Sequence, residues 1–226
     1  MQSAVDDKIL TPIEGRSSFY RSVDTFARSG LFTSLIVVYR DEEQRDRLRE
    51  DIPARCPPVT WVRGGARRQN SVFNGLADAG LDTDYVFIHD CARPLVTSHD
   101  LKRLWEIVLR DKAASLAHPV TDTIKKVQNR KSHHRKCTLR DLDRRTLWAM
   151  ETPQAFAYEP IFDAYQKARQ KDATHTDDAS VASEAGMKIS LVESSSPNPK
   201  ITRPEDLAYA SFLLRERPAP TPSETT

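Results

Sequence analysis

Short apolar runs alternate with amphipathic helical patterns through the first half of the chain, and this alternation constrains the fold most strongly. The runs that we predict as buried strands cover residues 34–39, 59–62, 85–89 and 113–118. Helical patterns follow the first three runs, over residues 41–50, 68–78 and 98–110. Alternation of this kind favours βαβ units, in which helices cover a mostly parallel sheet. The sequence therefore predicts an α/β fold.

The regular pattern is interrupted between residues 121 and 146. This excursion has no helical period and is strongly basic from Lys125 onward. Helices are again predicted over residues 160–168, 177–185 and 204–215, with a strand over 188–193. We therefore predict one domain over residues 1–216 that carries the excursion. Residues 217–226 are rich in Pro, Ser and Thr and are expected to form a disordered tail.

The composition excludes several functions. The 226 residues include 34 Lys and Arg against 32 Asp and Glu, so general electrostatic capture of nucleic acid or an anionic membrane is not expected. The basic excursion also lacks aromatic residues that would stack bases. No run approaches the ~18 apolar residues that span a bilayer, and residues 1–12 lack a secretory pattern. Three widely spaced cysteines fit a reducing compartment, so we expect a cytoplasmic protein.

A glycine pair follows the second predicted strand and leads into a helix. Gly64 and Gly65 are followed by Arg68 and Ser71. Backbone amides at a helix N-terminus bind anions, and the arginine and serine add donors, so a phosphate site is one interpretation. An ordinary strand-to-helix turn is the alternative.

Charged residues also end the third predicted strand. Asp90 and Arg93 lie three residues apart in the segment His89-Asp90-Cys91-Ala92-Arg93-Pro94. A carboxylate and an arginine at the carboxyl end of a strand can hold a metal-bound phosphate between them. The alternative is an internal Asp–Arg ion pair that orders the loop. His89 itself is predicted to be a packed strand residue rather than a ligand.

Helix capping explains some of the remaining motifs. Ser98 is the predicted N-cap of the helix over residues 98–110, and Thr176 or Asp177 is the predicted N-cap of the helix over residues 177–185. Thr202 with Glu205 has the spacing of a capping box, which leaves the preceding Lys200 unexplained. His133, His134 and Cys137 lack a fourth ligand at zinc-site spacing, so a zinc site is not expected there.

Six segments, taken in order, resemble one known family. They cover residues 64–76, 89–94, 119–125, 143–154, 176–180 and 200–207. Their motifs are similar to those of the 2-C-methyl-D-erythritol 4-phosphate cytidylyltransferases of the non-mevalonate isoprenoid pathway. The resemblance extends roughly from Lys8 to Leu214.

The resemblance implies a Rossmann-like nucleotidyltransferase fold whose excursion is a β-arm that clasps a second subunit in a homodimer. It implies that CTP and methylerythritol phosphate, a sugar-alcohol phosphate, react to give the cytidine diphosphate conjugate and pyrophosphate, with Mg²⁺ as cofactor. Such a reaction needs cations and a metal to bring two anions together rather than a side-chain nucleophile.

The resemblance also implies roles for individual residues of this chain. The catalytic residues would be Lys8, Arg144 and Lys200, and Asp90 would hold the metal. The nucleotide-binding residues would be Gly65, Arg68, Ser71 and Cys91, the last through its backbone amide. The substrate-binding residues would be Arg93, Thr123 and Thr152, with Thr123 and Arg144 supplied by the arm of the partner.

One departure from the family pattern lies at the start of the sequence. The family begins with an apolar strand and a glycine-rich triphosphate loop, whereas residues 1–8 here resemble the stretch after that loop. We expect the reading frame to continue upstream, and the chain as given to bind CTP poorly. A ribitol 5-phosphate cytidylyltransferase and a non-catalytic dimeric relic remain as alternatives.

Overall fold

The computed structural model describes residues 7–127 and 137–217 of the chain. Its helices are α1 (Ser18–Ser29), α2 (Glu42–Glu50), α3 (Arg68–Ala79), α4 (Ser98–Asp111), α5 (Tyr158–Gln170), α6 (Asp178–Glu184) and α7 (Pro204–Glu216). Its strands are β1 (Pro12–Ile13), β2 (Arg16–Ser17), β3 (Leu35–Tyr39), β4 (Val59–Arg63), β5 (Tyr85–Ile88), β6 (Ala113–Pro119), β7 (Lys125–Val127), β8 (Leu139–Asp141), β9 (Trp148–Ala157) and β10 (Ser190–Glu193).

The predicted strands and helices are all present, and their ends differ from the predicted ends by two residues or fewer. The long strand β9 was not predicted. Proline usually interrupts a strand, and Pro153 lies in the middle of this one. Residues 218–226 of the expected tail and the two histidines of the excursion lie outside the described residues, whereas Arg217 is described and its NH2 donates to Ser196 Oγ at 3.2 Å.

The main sheet is mixed. Its strand order is β10-β6-β9-β5, with β10 parallel to β6 and with β9 antiparallel to both of its neighbours. Strand β9 runs in the opposite direction because the chain leaves the sheet after β6, forms the excursion and returns beside it. Helices flank this sheet, so the predicted Rossmann-like α/β class is confirmed, with one antiparallel strand among otherwise parallel ones.

Strands β3 and β4 form a separate parallel pair. Among the described residues, β3 pairs only with β4, and β5 pairs only with β9. Helix α1 spans both sheets, because Phe26 packs in the same apolar cluster as Leu35 of β3 and Phe87 of β5. The carboxyl ends of β4 and β5 carry the two motifs singled out above, since Gly64 and Asp90 follow them.

The two faces of the main sheet bury different helices. Residues of α3, α5 and α6, including Leu76, Ile161 and Val181, cover one face. Residues of α1 and α4, including Phe26 and Leu104, cover the other. Consecutive strand residues point to opposite faces, as the period of two requires. No helix within residues 7–127 and 137–217 meets the length and hydropathy that crossing a bilayer requires.

Helix caps differ in detail from the predicted ones. The N-cap of α4 is Thr97 rather than Ser98, because the Thr97 hydroxyl accepts a hydrogen bond from the Asp100 N–H. At α7 the capping carboxylate belongs to Asp206 rather than Glu205, and it accepts hydrogen bonds from the backbone of Thr202 and Arg203. The predicted Asp177 cap of α6 is confirmed.

Two described segments of the excursion pair as a two-stranded antiparallel ribbon. Strands β7 and β8 pair with Lys125 opposite Asp141 and Val127 opposite Leu139. Their residues are exposed, and Ile124 beside them is 39% exposed. A β-arm is therefore present at the predicted place. Cys137 is a free, exposed thiol, and no metal-binding cluster of His, Cys, Asp or Glu occurs in the described part of the chain.

Gly75 allows α3 to pack closely on β3. A Cβ atom at this position would lie 3.2 Å from Val38 Cγ2 and 3.8 Å from Ile36 Cγ2. The contact with Val38 is already tight for a Cβ atom alone, so a branched side chain would crowd β3. This contact fixes the helix whose first residue, Arg68, reaches the carboxyl end of β5.

We expect Gly75→Val to lower the free energy of unfolding by about 1–3 kcal/mol, because the added methyl groups overpack the interface between α3 and β3. Thermal denaturation measures the effect. Ala77→Val, on the exposed side of the same helix, is the matched control and is expected to change the melting temperature little. Equal melting temperatures for the two variants would contradict the packing described.

Candidate active site

Asp90 lies at the centre of a cluster of charged side chains. Its Oδ2 atom is 2.6 Å from Lys200 Nζ, and its Oδ1 atom accepts a hydrogen bond of 3.0 Å from Arg68 Nε. The three residues come from the end of β5, the start of α3 and the loop before α7. The structure thus joins three motifs that are distant in sequence.

Backbone contacts hold the loops that carry this cluster. The Ile201 N–H donates to the Ala92 carbonyl at 2.7 Å, which ties the loop before α7 to the loop after β5. The Arg93 N–H donates to the Asp90 carbonyl at 2.8 Å and closes a turn there. Asp90 therefore lies in a turn that one backbone hydrogen bond closes and another holds to the loop before α7.

The electrostatic environment keeps Asp90 ionised. Burial alone would raise the pKa of its carboxyl group, but the positive charges of Arg68 and Lys200 outweigh burial and lower the pKa to about 2. The side chains of both cations remain partly exposed, 34% for Arg68 and 39% for Lys200. The cluster therefore presents a carboxylate and two cations that a ligand can reach.

Arg68 also pairs with a second carboxylate. Its NH1 and NH2 atoms donate to Asp178 Oδ1 and Oδ2 at 3.0 and 2.8 Å. The sequence pattern predicted Arg68 as an anion donor, and in the structure its guanidinium group is directed at two acids. Asp178 was missed because Asp177 before it already explained the helix cap. The signal in the sequence was a second acidic residue, directly after the one that caps the helix.

The glycine pair makes a tight turn next to Ser71. The Gly65 N–H donates to Ser71 Oγ at 3.1 Å, and the Gly64 N–H donates to the Tyr39 carbonyl at 2.7 Å. A Cβ atom at Gly65 would lie only 2.4 Å from Asn70 Cβ. Glycine is thus required by the turn itself, and the turn places Ser71 at the carboxyl end of β4.

Arg93 does not pair with Asp90 in this structure. Its NH1 and NH2 atoms donate to the carbonyls of Asn198 and Met150, at 3.0 and 3.2 Å. Burial lowers the pKa of the guanidinium group, and its Nε atom has no hydrogen-bond partner within the described ranges. The alternative of an internal Asp90–Arg93 ion pair is therefore wrong, because Arg68 and Lys200 are the ion-pair partners of Asp90.

Thr152 and His89 lie behind the Asp90 turn. Thr152 Oγ1 accepts a hydrogen bond from the Asp90 N–H at 3.1 Å and is 3.1 Å from His89 Nδ1. The His89 ring packs against Phe26, with centroids 5.2 Å apart. Burial lowers the pKa of His89 to about 4, so the ring is neutral at pH 7. The predicted packing of His89 is confirmed, although His89 directly follows β5 rather than lying within it.

Cys91 is unsuited to act through its thiol. It packs beside the apolar cluster that contains Phe19 and Val23. Burial raises the pKa of the thiol to about 12, so the thiolate needed for nucleophilic attack or metal binding is scarce at pH 7. A contact from its backbone amide, as the resemblance implies, stays a prediction.

Three residues named from the resemblance are not bonded to the Asp90 cluster in the described part of the chain. Lys8 sits in the turn before β1, and Thr123 lies exposed at the base of the arm. Arg144 is exposed and donates to the Thr121 carbonyl at 2.7 Å. Within the described residues, none of the three makes a hydrogen bond or ion pair with Asp90, Arg68 or Lys200.

The residues at the site fit Mg²⁺ bound through one carboxylate. Each Asp90 oxygen accepts one hydrogen bond and keeps a lone pair, and Mg²⁺ in nucleotide sites is commonly held by one or two carboxylates, substrate phosphates and water. His89 Nε2 is buried against the core, which leaves Asp90 as the side chain suited to the metal.

The buried histidine generates a pH-dependent stability. Unfolded His89 takes up a proton below pH ~6.5, whereas folded His89 stays neutral until about pH 4. His89 therefore does not reduce the free energy of unfolding above pH ~6.5. As the pH drops towards 4, its protonation in the unfolded state lowers the free energy of unfolding by on the order of 3 kcal/mol.

Urea denaturation at pH values from 7 to 4 measures this loss. We expect His89→Gln to remove much of the decrease, whereas His99→Gln, at an exposed position of α4, keeps it. A His89→Gln variant with the pH dependence of the unaltered protein would contradict the neutral buried ring.

Known proteins are similar to this chain in sequence and in fold. A family model described as IspD, 2-C-methyl-D-erythritol 4-phosphate cytidylyltransferase, matches residues 1–216. The protein of that name from Caldanaerobacter subterraneus subsp. tengcongensis is 36% identical over 213 residues, which cover 93% of this chain and 91% of the relative. The crystal structure of 2-C-methyl-D-erythritol 4-phosphate cytidylyltransferase from Thermus thermophilus is similar with a TM-score of 0.75 at 28% identity, over 92% of this chain and 93% of that one. The chain belongs to the 2-C-methyl-D-erythritol 4-phosphate cytidylyltransferase family.

Proposed function

We propose that this chain transfers the cytidylyl group of CTP to 2-C-methyl-D-erythritol 4-phosphate, as an enzyme of isoprenoid precursor synthesis. The products are 4-diphosphocytidyl-2-C-methyl-D-erythritol and pyrophosphate. The observation that carries the proposal is the ionised Asp90 between Lys200 and Arg68, in a chain of this family.

The chemistry matches the side chains of the cluster. A phosphate oxygen of the acceptor attacks the α-phosphorus of CTP, and the bond from that phosphorus to the oxygen bridging to the β-phosphate breaks. The electron pair leaves with pyrophosphate. The nucleophile comes from the substrate, so the protein has to position two anions and stabilise the charge that develops. Lys200 and Arg68, which are both partly exposed, are suited to that task.

Charge balance supports a divalent cation at Asp90. The charges of Arg68 and Lys200 are cancelled by those of Asp90 and Asp178, so these four side chains alone do not attract a triphosphate. Mg²⁺ bound to Asp90 would neutralise phosphate charge and polarise the α-phosphate. Asp90 is fixed in place to hold it by the Thr152 hydroxyl and the two cations.

The remaining predicted residues are assigned to the two substrates. Gly65, Ser71 and the Cys91 amide would contact the nucleotide, and Lys8 would stabilise charge at the α-phosphate. Arg93 and Thr152 would position the sugar phosphate. Arg93 is suited to that role because, among the described residues, its guanidinium group donates to two carbonyl groups and to no carboxylate, so its positive charge is not cancelled.

A homodimer is part of the proposal. The exposed apolar side chains of the arm, Ile124, Val127 and Leu139, are 39%, 45% and 54% exposed. A second subunit would cover them and would receive Thr123 and Arg144 from the arm. Free cysteines at positions 56, 91 and 137 support a cytoplasmic location.

The activity is tested with purified protein, CTP and Mg²⁺. Methylerythritol phosphate is expected to give pyrophosphate and the cytidine diphosphate conjugate, identified by mass spectrometry. Ribitol 5-phosphate, in a parallel reaction, is expected to give little product, because the relatives described above are named for methylerythritol phosphate. The absence of both CTP binding and turnover of either acceptor would favour the non-catalytic relic.

Asp90→Asn keeps the shape of the side chain and removes its charge. We expect turnover to fall by at least ~10²-fold, as on removal of one strong electrostatic contributor. Circular dichroism checks that the variant folds, and Asp82→Asn at an exposed loop position is the control with unchanged turnover. Near-normal kinetics at saturating Mg²⁺ would refute the metal role of Asp90.

Sharing of the active site between subunits is testable by complementation. Arg144→Ala and Lys200→Ala proteins are each expected to be inactive alone. A mixture that has exchanged subunits should regain activity, because some mixed dimers contain one site in which both residues are intact. A mixture that forms heterodimers but stays inactive would show that Arg144 does not act across the interface.

A further inference from the structure

Asp178 is a buried carboxylate to which the proposed reaction assigns no role. Its side chain is 0% exposed, and it accepts hydrogen bonds from both NH groups of Arg68 and from the Tyr165 hydroxyl. A buried charge destabilises a fold unless it is paired, and Arg68 is the ion-pair partner of Asp178 among the described residues. Arg68 is also a partner of Asp90. Asp178 is therefore connected to the proposed metal residue through one side chain.

The way in which Arg68 divides its hydrogen bonds is specific. The two terminal nitrogens form a bidentate pair with Asp178, which is the strong arrangement for a guanidinium and a carboxylate. Only Nε is left for Asp90, at 3.0 Å from Oδ1. Lys200 binds the other oxygen of Asp90. As a result, neither cation spans both oxygens of Asp90.

We propose that Asp178 is a positioning residue that holds the terminal nitrogens of Arg68 and so keeps Arg68 from forming a bidentate pair with Asp90. A lone pair on each Asp90 oxygen then remains free for a divalent cation. The proposal rests on the proposed function, because that function places the cation at Asp90.

The surroundings of Asp178 fix its position. Gln154 of β9 accepts a hydrogen bond from the Ala179 N–H at 2.7 Å and donates to Asp177 Oδ2 at 2.9 Å, which anchors the start of α6 to the main sheet. Tyr165 of α5 is 3% exposed, and its hydroxyl donates to Asp178 Oδ1. Arg68 therefore meets a carboxylate held by three elements.

A purely structural role for Asp178 is the competing explanation, in which the buried pair only fastens α6 to α3. Binding of Mn²⁺ in the presence of CTP, followed by electron paramagnetic resonance of the free ion, separates the two. Asp178→Asn preserves the shape and weakens the hold on Arg68. We expect the Mn²⁺ dissociation constant to rise about 10-fold, as for loss of a group that orients a ligand.

Kinetic measurements give a second readout. The Mg²⁺ concentration for half-maximal turnover should rise with the Mn²⁺ dissociation constant, while KM for the sugar phosphate stays the same. Asp172→Asn is the matched control, since Asp172 is 90% exposed and pairs with the neighbouring Arg67 at 3.5 Å. If Asp178→Asn binds Mn²⁺ as Asp172→Asn does, the positioning role is wrong.

The double variant tests whether Asp178 acts through Arg68. In an Arg68→Gln background, Asp178→Asn is expected to weaken Mn²⁺ binding no further, because the side chain that Asp178 restrains is gone. A further 10-fold loss in that background would overturn the proposal. If Asp178→Asn does not fold, Tyr165→Phe replaces it in both experiments. Tyr165→Phe is expected to weaken Mn²⁺ binding about 3-fold, and to have no such effect in the Arg68→Gln background.

The measurements distinguish this proposal from the proposed function. The positioning role would be supported and the activity refuted if the wild-type protein forms no product but binds Mn²⁺ more tightly than Asp178→Asn does. Active wild-type protein whose Mn²⁺ binding ignores Asp178 would refute the positioning role alone. Wild-type protein that binds no Mn²⁺ in the presence of CTP would refute the positioning role as well.

Discussion

The ionised carboxylate of Asp90 is the constraint on which the site depends. A carboxylate removed from water costs several kcal/mol unless cations and hydrogen bonds replace the solvent. Here Arg68 and Lys200 supply the cations, and the Thr152 hydroxyl accepts a hydrogen bond from the Asp90 backbone. Meeting that requirement brings the end of β5, the start of α3, the middle of β9 and the loop before α7 to one place.

The same arrangement links stability to function. Arg68 and Lys200 each keep about a third of their side-chain surface exposed, so the groups that stabilise Asp90 also face the solvent from which substrates arrive. Asp178 lies wholly inside and holds Arg68 from behind. The charges of the four groups cancel, which is the reason that the proposed function includes a divalent cation at Asp90.

The sequence predicted the parts of this site that local patterns encode. The strand ends, the glycine turn, Asp90 and the unexplained Lys200 were all found, because apolar runs and helix starts locate them. Pairings between distant segments were not predicted: Asp90 was matched with its sequence neighbour Arg93, whereas its partners are Arg68 and Lys200. Strand β9 was missed for a related reason, since Pro153 disfavours a strand locally and the pairing with β5 and β6 outweighs it. Tertiary contacts decide both cases.

The role of Asp90 is tested most directly by a crystal structure of the protein with Mg²⁺ and a non-hydrolysable CTP analogue. We expect Asp90 to hold the metal ion next to the triphosphate, with Arg68 still paired to Asp178 and with Lys200 beside the phosphates. A nucleotide bound with its phosphates and metal away from Asp90 would contradict it.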